Sequence, residues 1–352
     1  MNAVLLTGHG GLDKLVYTQV AKPSPQAGEV LIRVGACSVN NTDLNTRTGW
    51  YTAQQEFEAV LQDTAATPIH TSTAWGATPI EFPRIQGADI VGRVVEVGAG
   101  VDPQLLEKRA IVDPWIRTEP PECDRYVGSE LDGGFAEYAA IRASNVYEID
   151  SPLSDVELAC FPCSYSTAEN MLVKGRIASS DTVLIAGASG GVGSALVQLC
   201  KLRGATVIAI ASRSKKAFVR ELGADFVCDR NDNLIDGLTD RKITVYLDTV
   251  GGEYFPQLLK QLQVGGRYVT CGAIGGPLVQ LDLRELIYKD LEMIGATRMD
   301  VTVFQNLVSY INQNRLRPAI AKTFPLSQIQ AAQKFFQSKK FCGKVTITLD
   351  RV

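Results

Sequence analysis

The sequence predicts an α/β protein that combines a doubly wound parallel-sheet domain with a second domain rich in β-strands. Three observations support this prediction. The chain has 352 residues, which is more than one ordinary hydrophobic core supports. The middle of the chain alternates short apolar strands with helices, which is typical of a parallel sheet covered on both faces. The first 150 residues instead contain strands that Gly and Pro interrupt often.

The alternation in the middle of the chain is regular. Predicted strands cover residues 181–188 (DTVLIAGA), 206–212 (TVIAIAS), 225–228, 243–250 (ITVYLDTV) and 266–271. Predicted helices cover residues 191–202, 214–222 and 253–263. This βαβ order predicts a doubly wound sheet of the Rossmann type.

The two ends of the chain resemble each other more than they resemble the middle. Strands are predicted at residues 29–35, 90–97, 108–112 and 136–141, and the tail has an extended segment (318–326), a helix (327–339) and a strand (344–349). We therefore expect the tail to rejoin the first domain, with boundaries at residues 1–152, 153–298 and 299–352. Residues 52–83, with His70 and Trp75, form an atypical long loop, and such loops are usually functional or mobile.

Composition excludes several classes of function. The net charge is −3 and the basic residues are dispersed, so nucleic acid is not an expected partner. No apolar run approaches the roughly 18 residues of a membrane span, and the N-terminus lacks the pattern of a signal peptide. Eight irregularly spaced cysteines indicate reduced thiols, so we expect a cytoplasmic protein that does not bind membranes.

A glycine-rich turn follows the first strand of the predicted parallel sheet. Residues 187–193 read GASGGVG, between a strand and a helix. Glycines there let the backbone approach a pyrophosphate, and the helix N-terminus attracts its charge. The candidate cofactor-binding residues of this turn are Gly187, Ala188, Ser189, Gly190, Gly191 and Val192. The alternative is a tight strand–helix turn without a ligand, although four glycines in seven residues exceed what turning requires.

The end of the second strand predicts which dinucleotide binds. An NAD site places Asp or Glu there to accept a hydrogen bond from the ribose 2′-OH, whereas this chain has Ser212, Arg213 and Lys215. A hydroxyl and two cations suit a 2′-phosphate, so NADP(H) is the predicted cofactor. The alternative is an ordinary solvated start of a helix.

Several motifs together resemble the medium-chain dehydrogenase/reductase superfamily. They are AGASGGVG (186–193), SYSTA (164–168), LGAD (222–225), DTVGG (248–252), GRVVEVG (92–98) and GGFAEY (133–138). The segment VNNTD (39–43), with Arg47, Gly49 and Tyr51, is similar to the quinone oxidoreductase branch. The resemblance covers nearly the whole chain except residues 52–83, and it implies that the first domain is GroES-like.

The resemblance also implies that zinc is absent. The zinc-dependent branch binds catalytic zinc through a Cys, a Gly-His-Glu segment and a later Cys. Those positions read Asn40, Gly87–Asp89 (GAD) and Cys163 here, and one thiol is too few for a site that needs about three ligands. The four-cysteine structural loop is reduced to Cys123. Cys160 and Cys163 have the spacing of a redox pair, or they are two ordinary thiols.

By family position, further residues are assigned roles. Asn40 is a candidate donor to the substrate or the nicotinamide ribose, Tyr51 a wall or proton donor, and Asp43 a residue that fixes the loop or contacts substrate. Relatives often carry Tyr at the position of Asn45, which implies a different substrate shape. Thr167 is expected near the nicotinamide half, Thr249 near the adenosine ribose, Gly272 and Ile274 close to the nicotinamide, and Lys344 near the pyrophosphate.

Without a Lewis acid, hydride addition to an enone or quinone is easier than reduction of a simple ketone, because the acceptor already spreads the developing charge. The predicted activity is therefore NADPH-dependent reduction of an activated double bond or quinone, on a small carbonyl or quinone substrate. One alternative is an enoyl-thioester reductase. Another is a nucleotide-binding sensor or structural protein with little turnover. Relatives are often oligomeric, so a homodimer or higher homo-oligomer is expected.

Overall fold

The computed structural model describes residues 1–51, 80–230, 234, 237–238 and 241–349. The chain forms two compact units. Unit 1 comprises Met1–Cys163, Ile320–Lys339 and Lys344–Val352, and unit 2 comprises Ser164–Ala319 and Lys340–Gly343. The tail thus returns to the first unit. The unit boundaries lie at 163/164 and 319/320, later along the chain than the predicted 152/153 and 298/299.

Unit 1 is built mainly of β-strands. Its strands are β1 (Asn2–Leu6), β2 (Leu15–Gln19), β3 (Glu29–Val39), β4 (Arg84–Ile85), β5 (Val91–Val97), β6 (Arg109–Val112), β7 (Trp115–Ile116), β8 (Arg125–Tyr126), β9 (Tyr138–Arg142), β10 (Val146–Glu148), β17 (Ile320–Pro325) and β18 (Lys344–Thr348). The helices among its described residues are α1 (Asn41–Thr48), α2 (Asp155–Leu158) and α9 (Ile329–Gln337). Helix α3 (Pro162–Lys174) begins at the last two residues of the unit's first segment.

The main sheet of unit 1 joins both ends of the chain. In the described part of the unit its order is β10-β6-β5-β3-β18-β17, with β9 also paired to β3. Strand β18 runs antiparallel to β3, and Val345 lies opposite Val39. Val30, Ile32 and Val34 alternate along β3 and pack into one apolar core because alternate strand residues share a face. Residues 344–348, from the end of the chain, therefore join a sheet whose other strands include β3, β5 and β6 from the first part of the chain.

Unit 2 contains a parallel sheet whose described strands have the order β13-β12-β11-β14-β15-β16. The strands are β11 (Thr182–Ala186), β12 (Thr206–Ala211), β13 (Phe226–Asp229), β14 (Ile243–Asp248), β15 (Leu262–Thr270) and β16 (Glu292–Gly295), all paired in parallel. The helices are the rest of α3 with α4 (Gly191–Leu202), α5 (Lys216–Glu221), α6 (Phe255–Leu259), α7 (Leu283–Tyr288) and α8 (Val301–Asn312). The predicted doubly wound sheet is confirmed.

Two details differ from the sequence prediction. Helix α8 lies in unit 2 because Phe304, Leu307 and Ile311 form an apolar stripe at helical spacing and are buried there. The helix predicted at 253–263 is only five residues long, and β15 begins at Leu262, which pairs with Ile243 and is buried. Burial in the sheet overrides the helical pattern at this point.

Within the described residues, no helix is long and apolar enough to cross a membrane.

Candidate active site

The glycine turn of unit 2 lies where strand order reverses. Strand β11 has β12 on one side and β14 on the other, and α4 starts directly after the turn that follows β11. Gly187 has φ +73°, and a Cβ added there would lie 2.5 Å from Oγ1 of Thr249. The turn and the end of β14 therefore pack closely together. Ligands of open α/β sheets bind at this kind of reversal point, beyond the carboxyl ends of the strands.

Gly190 differs from the other glycines of the turn. It is the exposed N-cap of α4 with φ −81°, a conformation open to any residue. The nearest atom to a Cβ added there is the carbonyl oxygen of Gly187, at 3.6 Å. The fold itself therefore has room for a side chain at this position. Free space beside the first N–H groups of a twelve-residue helix fits a pyrophosphate.

The remaining predicted cofactor residues of unit 2 are distributed around this turn. Thr249 donates a hydrogen bond from Oγ1 to the carbonyl of Ala186 at 3.1 Å, and a Cβ on Gly272 would lie 3.5 Å from the carbonyl oxygen of Thr249. The structure thus brings the ends of β11, β14 and β15 together. Ala188 is buried, whereas the following predicted residues are partly buried or exposed: Thr167, Ser189, Gly191, Val192 and Ile274. Their contact with a cofactor stays a prediction.

Asp248 organises the loop after β14, and sequence reasoning did not single it out. Its buried carboxylate accepts hydrogen bonds from the N–H groups of Val250 at 2.8 Å and Gly251 at 3.1 Å. It also accepts one from the hydroxyl of Tyr268 at 3.0 Å, and burial followed by this charge raises the pKa of Tyr268. An acid directly after an apolar strand was the available signal. Asp248 fixes the loop that carries Thr249.

An acid lies beside the residues predicted to select the cofactor. Arg213 is 79% exposed, and its Nε donates to Oδ2 of Asp229 at 3.3 Å. Asp229 ends β13 opposite Ala211 in the parallel register and is buried. At the end of β12, where an NAD site has its acid, this chain has the partly buried Ser212. The neighbouring strand supplies the carboxylate instead, so part of the charge of Arg213 is compensated.

Lys215 lies in the short 3-10 helix that follows Ser212. Burial is the first cause that lowers the pKa of its ammonium, and the charge of Arg230 acts in the same direction. The backbone N–H of Arg230 donates to the carbonyl of Ala211 at 3.1 Å. The backbone of Arg230 is therefore held at the end of β12, so a third basic residue lies near Arg213 and Lys215. The sequence alone did not single it out.

In unit 1, Asn40 and Asp43 begin helix α1. They form a capping box, in which Oδ2 of Asp43 accepts the backbone N–H of Asn40 at 2.7 Å. Oδ1 of Asp43 accepts the N–H of Gly87 at 3.1 Å. Burial raises the pKa of Asp43 to about 7 despite these hydrogen bonds. Both carboxylate oxygens therefore hold backbone in place, which is the arrangement of a residue that fixes a loop.

Tyr51 lies at the last described position before residue 80. Its hydroxyl accepts a hydrogen bond from Nδ2 of Asn45 at 3.2 Å. Burial raises the pKa of Tyr51 to about 12, so its phenol keeps its proton at neutral pH. The position at which relatives often carry Tyr thus holds an amide that orients Tyr51. His70 and Trp75 lie outside the described residues.

Asp89 connects the three positions at which the zinc-dependent branch has its ligands. Its Oδ2 accepts Nδ2 of Asn40 at 2.7 Å, Nζ of Lys344 at 2.9 Å and the hydroxyl of Ser38. Its Oδ1 accepts the backbone N–H of Cys163 at 2.6 Å. Asp89 is fully buried and Lys344 is 2% exposed. The ammonium was expected near a pyrophosphate, and in unit 1 it is hydrogen-bonded inside this network.

These residues do not fit a catalytic zinc. The three positions present an amide, the methyl group of Ala88 and one thiol, with a buried ammonium hydrogen-bonded to the amide. Burial raises the pKa of Cys163 to about 12, so its ligating thiolate form is disfavoured. Among the residues that the structure describes, no three His, Cys, Asp or Glu side chains are grouped as a metal site.

The two thiols with redox-pair spacing are both buried. Burial raises the pKa of Cys160, like that of Cys163, to about 12, which is opposite to the lowered pKa of a reactive thiol. Tyr126 hydrogen-bonds with Cys163 and is itself buried, and sequence reasoning did not identify it. The interpretation as ordinary thiols is therefore favoured.

Comparisons with known proteins agree with this architecture. Residues 26–151 match the family described as the alcohol dehydrogenase GroES-like domain, and residues 191–313 match the zinc-binding dehydrogenase family. A solved structure from Sinorhizobium meliloti 1021, provisionally named an alcohol dehydrogenase, is 44% identical with a TM-score of 0.89, and the match covers 99% of this chain and 97% of that one.

Two curated relatives carry more specific names. An acryloyl-coenzyme A reductase from Metallosphaera sedula is 28% identical, and the match covers 99% of this chain and 100% of the relative. A quinone oxidoreductase from Rattus norvegicus is 26% identical, with 99% and 98% covered. Both are similar along their whole length, so the similarity extends over both units.

Proposed function

The chain belongs to the medium-chain dehydrogenase/reductase superfamily of oxidoreductases, and from this premise we propose that it reduces an activated double bond or a quinone with NADPH, without zinc. The observation that carries this proposal is the network around Asp89. An amide and a buried ammonium stand where a metal site would need three ligands. A substrate that spreads its own negative charge does not require a Lewis acid.

A bound nicotinamide would supply the hydride that adds to the electron-poor acceptor, and the α-carbon or oxygen of the acceptor would take a proton. Unit 2 binds the dinucleotide through the turn at Gly187–Gly193 and the cations Arg213 and Lys215. Asn40 donates a hydrogen bond to the acceptor oxygen or the nicotinamide ribose. Tyr51 is protonated at neutral pH, and its pKa of about 12 makes it a weak general acid, so water is the competing proton source.

An enoyl thioester is a second candidate substrate. The similarity to the acryloyl-coenzyme A reductase over nearly the whole of both chains favours it. The chemistry is the same hydride addition to a double bond conjugated with a carbonyl. A sensor or structural protein that binds nucleotide without turnover is the remaining alternative.

The decisive experiment measures NADPH oxidation against quinones, enones, enoyl thioesters and simple alcohols. We expect turnover with at least one activated acceptor and poor oxidation of 2-propanol. Faster oxidation of the alcohol than reduction of every activated acceptor would contradict the proposal. Binding of NADPH without turnover on the whole panel would favour the sensor. Elemental analysis should find less than stoichiometric zinc, and about one zinc per chain would refute zinc independence.

We also propose that the protein is a homodimer that pairs through one edge of the parallel sheet. Strand β16 forms that edge in the described part of unit 2. Large apolar side chains on α7 and β16 are exposed there: Leu283 is 60% exposed, Ile287 61%, Tyr288 77% and Met293 42%. An unpaired edge strand flanked by apolar side chains is suited to a second copy of itself, which can extend the sheet.

A further inference from the structure

Asp89 and Lys344 form a buried ion pair in unit 1. Lys344 is 2% exposed and Asp89 is fully buried. Burial is the largest single influence on the pKa of Lys344 and lowers it, but the charge and hydrogen bond of Asp89, with smaller contributions from Cys163 and Cys160, together raise the pKa above its usual value. A buried ammonium is tolerated only when it is paired and hydrogen-bonded, as it is here. The two charges form a fixed electrostatic feature in the unit.

Asn40 spans this ion pair. Its Oδ1 accepts a hydrogen bond from Nζ of Lys344, and its Nδ2 donates to Oδ2 of Asp89 at 2.7 Å. An amide rotated by 180° would present its NH2 group to the ammonium and its oxygen to the carboxylate. Both of those contacts are repulsive. The ion pair therefore permits one orientation of the Asn40 amide and opposes the other.

Three separate elements of the fold hold Asn40, Asp89 and Lys344 in this arrangement. Asn40 is the N-cap of α1, Asp89 precedes β5, and Lys344 is the first residue of β18. Strand β18 is held against β3 by the pairing of Val345 with Val39, the residue before Asn40. The backbone N–H of Cys163 anchors the second oxygen of Asp89 at 2.6 Å. The pairing of β18 with β3 therefore fixes the position of Lys344 relative to Asn40.

We propose that Lys344 is a positioning residue of the reductase: paired with Asp89, it holds the Asn40 amide in the one orientation in which its NH2 group serves as donor. The inference rests on the proposed function, because it concerns the donor assigned to that reaction. It differs from the family-based expectation that Lys344 contacts the pyrophosphate. Loss of a positioning residue should lower kcat, whereas loss of a pyrophosphate contact should raise the NADPH dissociation constant.

The test compares Lys344→Met with the double variant Lys344→Met/Asp89→Asn. The single variant leaves a buried carboxylate without its cation, so it should lose stability as well as turnover. The double variant removes both charges, so its stability should recover relative to the single variant. In both, kcat should fall by about 10- to 100-fold, because a donor in the wrong orientation is lost to the reaction. The dissociation constant of NADPH should change by less than about twofold, as expected without a lost contact.

Lys322→Met is the matched control, since it makes the same change on the exposed side chain of the neighbouring strand β17. It should leave kcat unchanged. If kcat recovers together with stability in the double variant, the ion pair is only structural and the proposal is overturned. A large rise in the NADPH dissociation constant with kcat preserved would make Lys344 a cofactor ligand and overturn it as well. An absence of turnover in the unmodified protein would defeat both proposals, whereas normal kcat in the variants would defeat only this one.

Discussion

The two units build their candidate sites from different materials. In unit 2 the dinucleotide turn consists of backbone, and its distinctive position, Gly190, is exposed and has no side chain. In unit 1 the site consists of side chains, and Asn40, Asp89 and Lys344 are all nearly inaccessible to solvent. A backbone site depends on empty space that a ligand fills. A buried side-chain site depends on charges that compensate each other, so substitutions in the two units should affect different properties.

The largest effect is expected when the empty space of unit 2 is filled. In Gly190→Val, the Cβ would lie 3.6 Å from the carbonyl oxygen of Gly187, which is ordinary van der Waals contact, and φ of −81° suits valine. We expect the NADPH dissociation constant to rise by about 100-fold or more, since the side chain occupies the space of the pyrophosphate. The folded state should lose no more than about 1 kcal/mol. Titration calorimetry and thermal unfolding measure the two effects.

Gly8→Val is the control, because a Cβ on Gly8 meets nothing within 4 Å. It should change neither binding nor stability. Unaltered NADPH affinity in Gly190→Val would show that the pyrophosphate does not use this turn.

Substitutions in the unit 1 site should lower kcat and leave the affinity for NADPH unchanged. Asn40→Ala removes the proposed donor to the acceptor oxygen, so kcat should fall by about 10- to 100-fold while the NADPH dissociation constant stays the same. A rise in that dissociation constant would instead assign the hydrogen bond to the nicotinamide ribose. The variant also removes the N-cap of α1, which costs about 1 kcal/mol of stability. Ser154→Ala removes the N-cap side chain of α2 and serves as the control for the loss of a cap. Equal reductions of kcat in both variants would assign the effect to the cap.

The preference for NADPH over NADH tests whether the charge of Arg213 contributes to cofactor binding in unit 2. Arg213→Ala should weaken NADPH binding by about tenfold and leave NADH nearly unchanged, since a charge-assisted hydrogen bond to the 2′-phosphate is lost. Ser212→Asp should shift preference towards NADH by adding repulsion. Titrating both cofactors against each variant measures this. Equal losses for both cofactors in Arg213→Ala would indicate a solvated start of a helix.

Asp229 sharpens the same experiment. Its carboxylate pairs with Nε of Arg213 and offsets part of the positive charge. Asp229→Asn should therefore increase the preference for NADPH by a few-fold, in the direction opposite to Arg213→Ala. A decreased preference would mean that Asp229 instead orients Arg213 towards the phosphate.

The smallest effect on turnover is expected at the sheet edge of unit 2. Tyr288→Glu places a charge on a side chain that is 77% exposed and on the proposed dimer surface. Sedimentation should show a dimer for the unmodified protein and a monomer for the variant, with kcat little changed. Tyr17→Glu, on a half-exposed tyrosine of strand β2 in the other unit, is the control and should leave the dimer intact. A monomeric unmodified protein would refute the interface.

Local patterns predicted most of the secondary structure. The helix at Gly191–Leu202 was predicted to the residue, and strands β11, β12 and β14 differ from prediction by only a few terminal residues. These segments have strong periodicity bounded by Gly or Asp. The helix predicted at 253–263 forms but ends at Leu259, because Leu262 gains more from burial beside Ile243 than from helical spacing. Long-range pairing decided the conformation of that segment.

The amino-acid sequence by itself determined the doubly wound sheet and the glycine turn, because apolar periodicity and glycine content act locally. By resemblance, it also placed Asn40 and Ala88 at positions where the zinc-dependent branch has metal ligands. Only the tertiary structure showed that Lys344 pairs with Asp89 and that Asp229 pairs with Arg213. These partners are separated by 255 and 16 residues along the chain. Sheet register, which no local pattern encodes, brings their charges together.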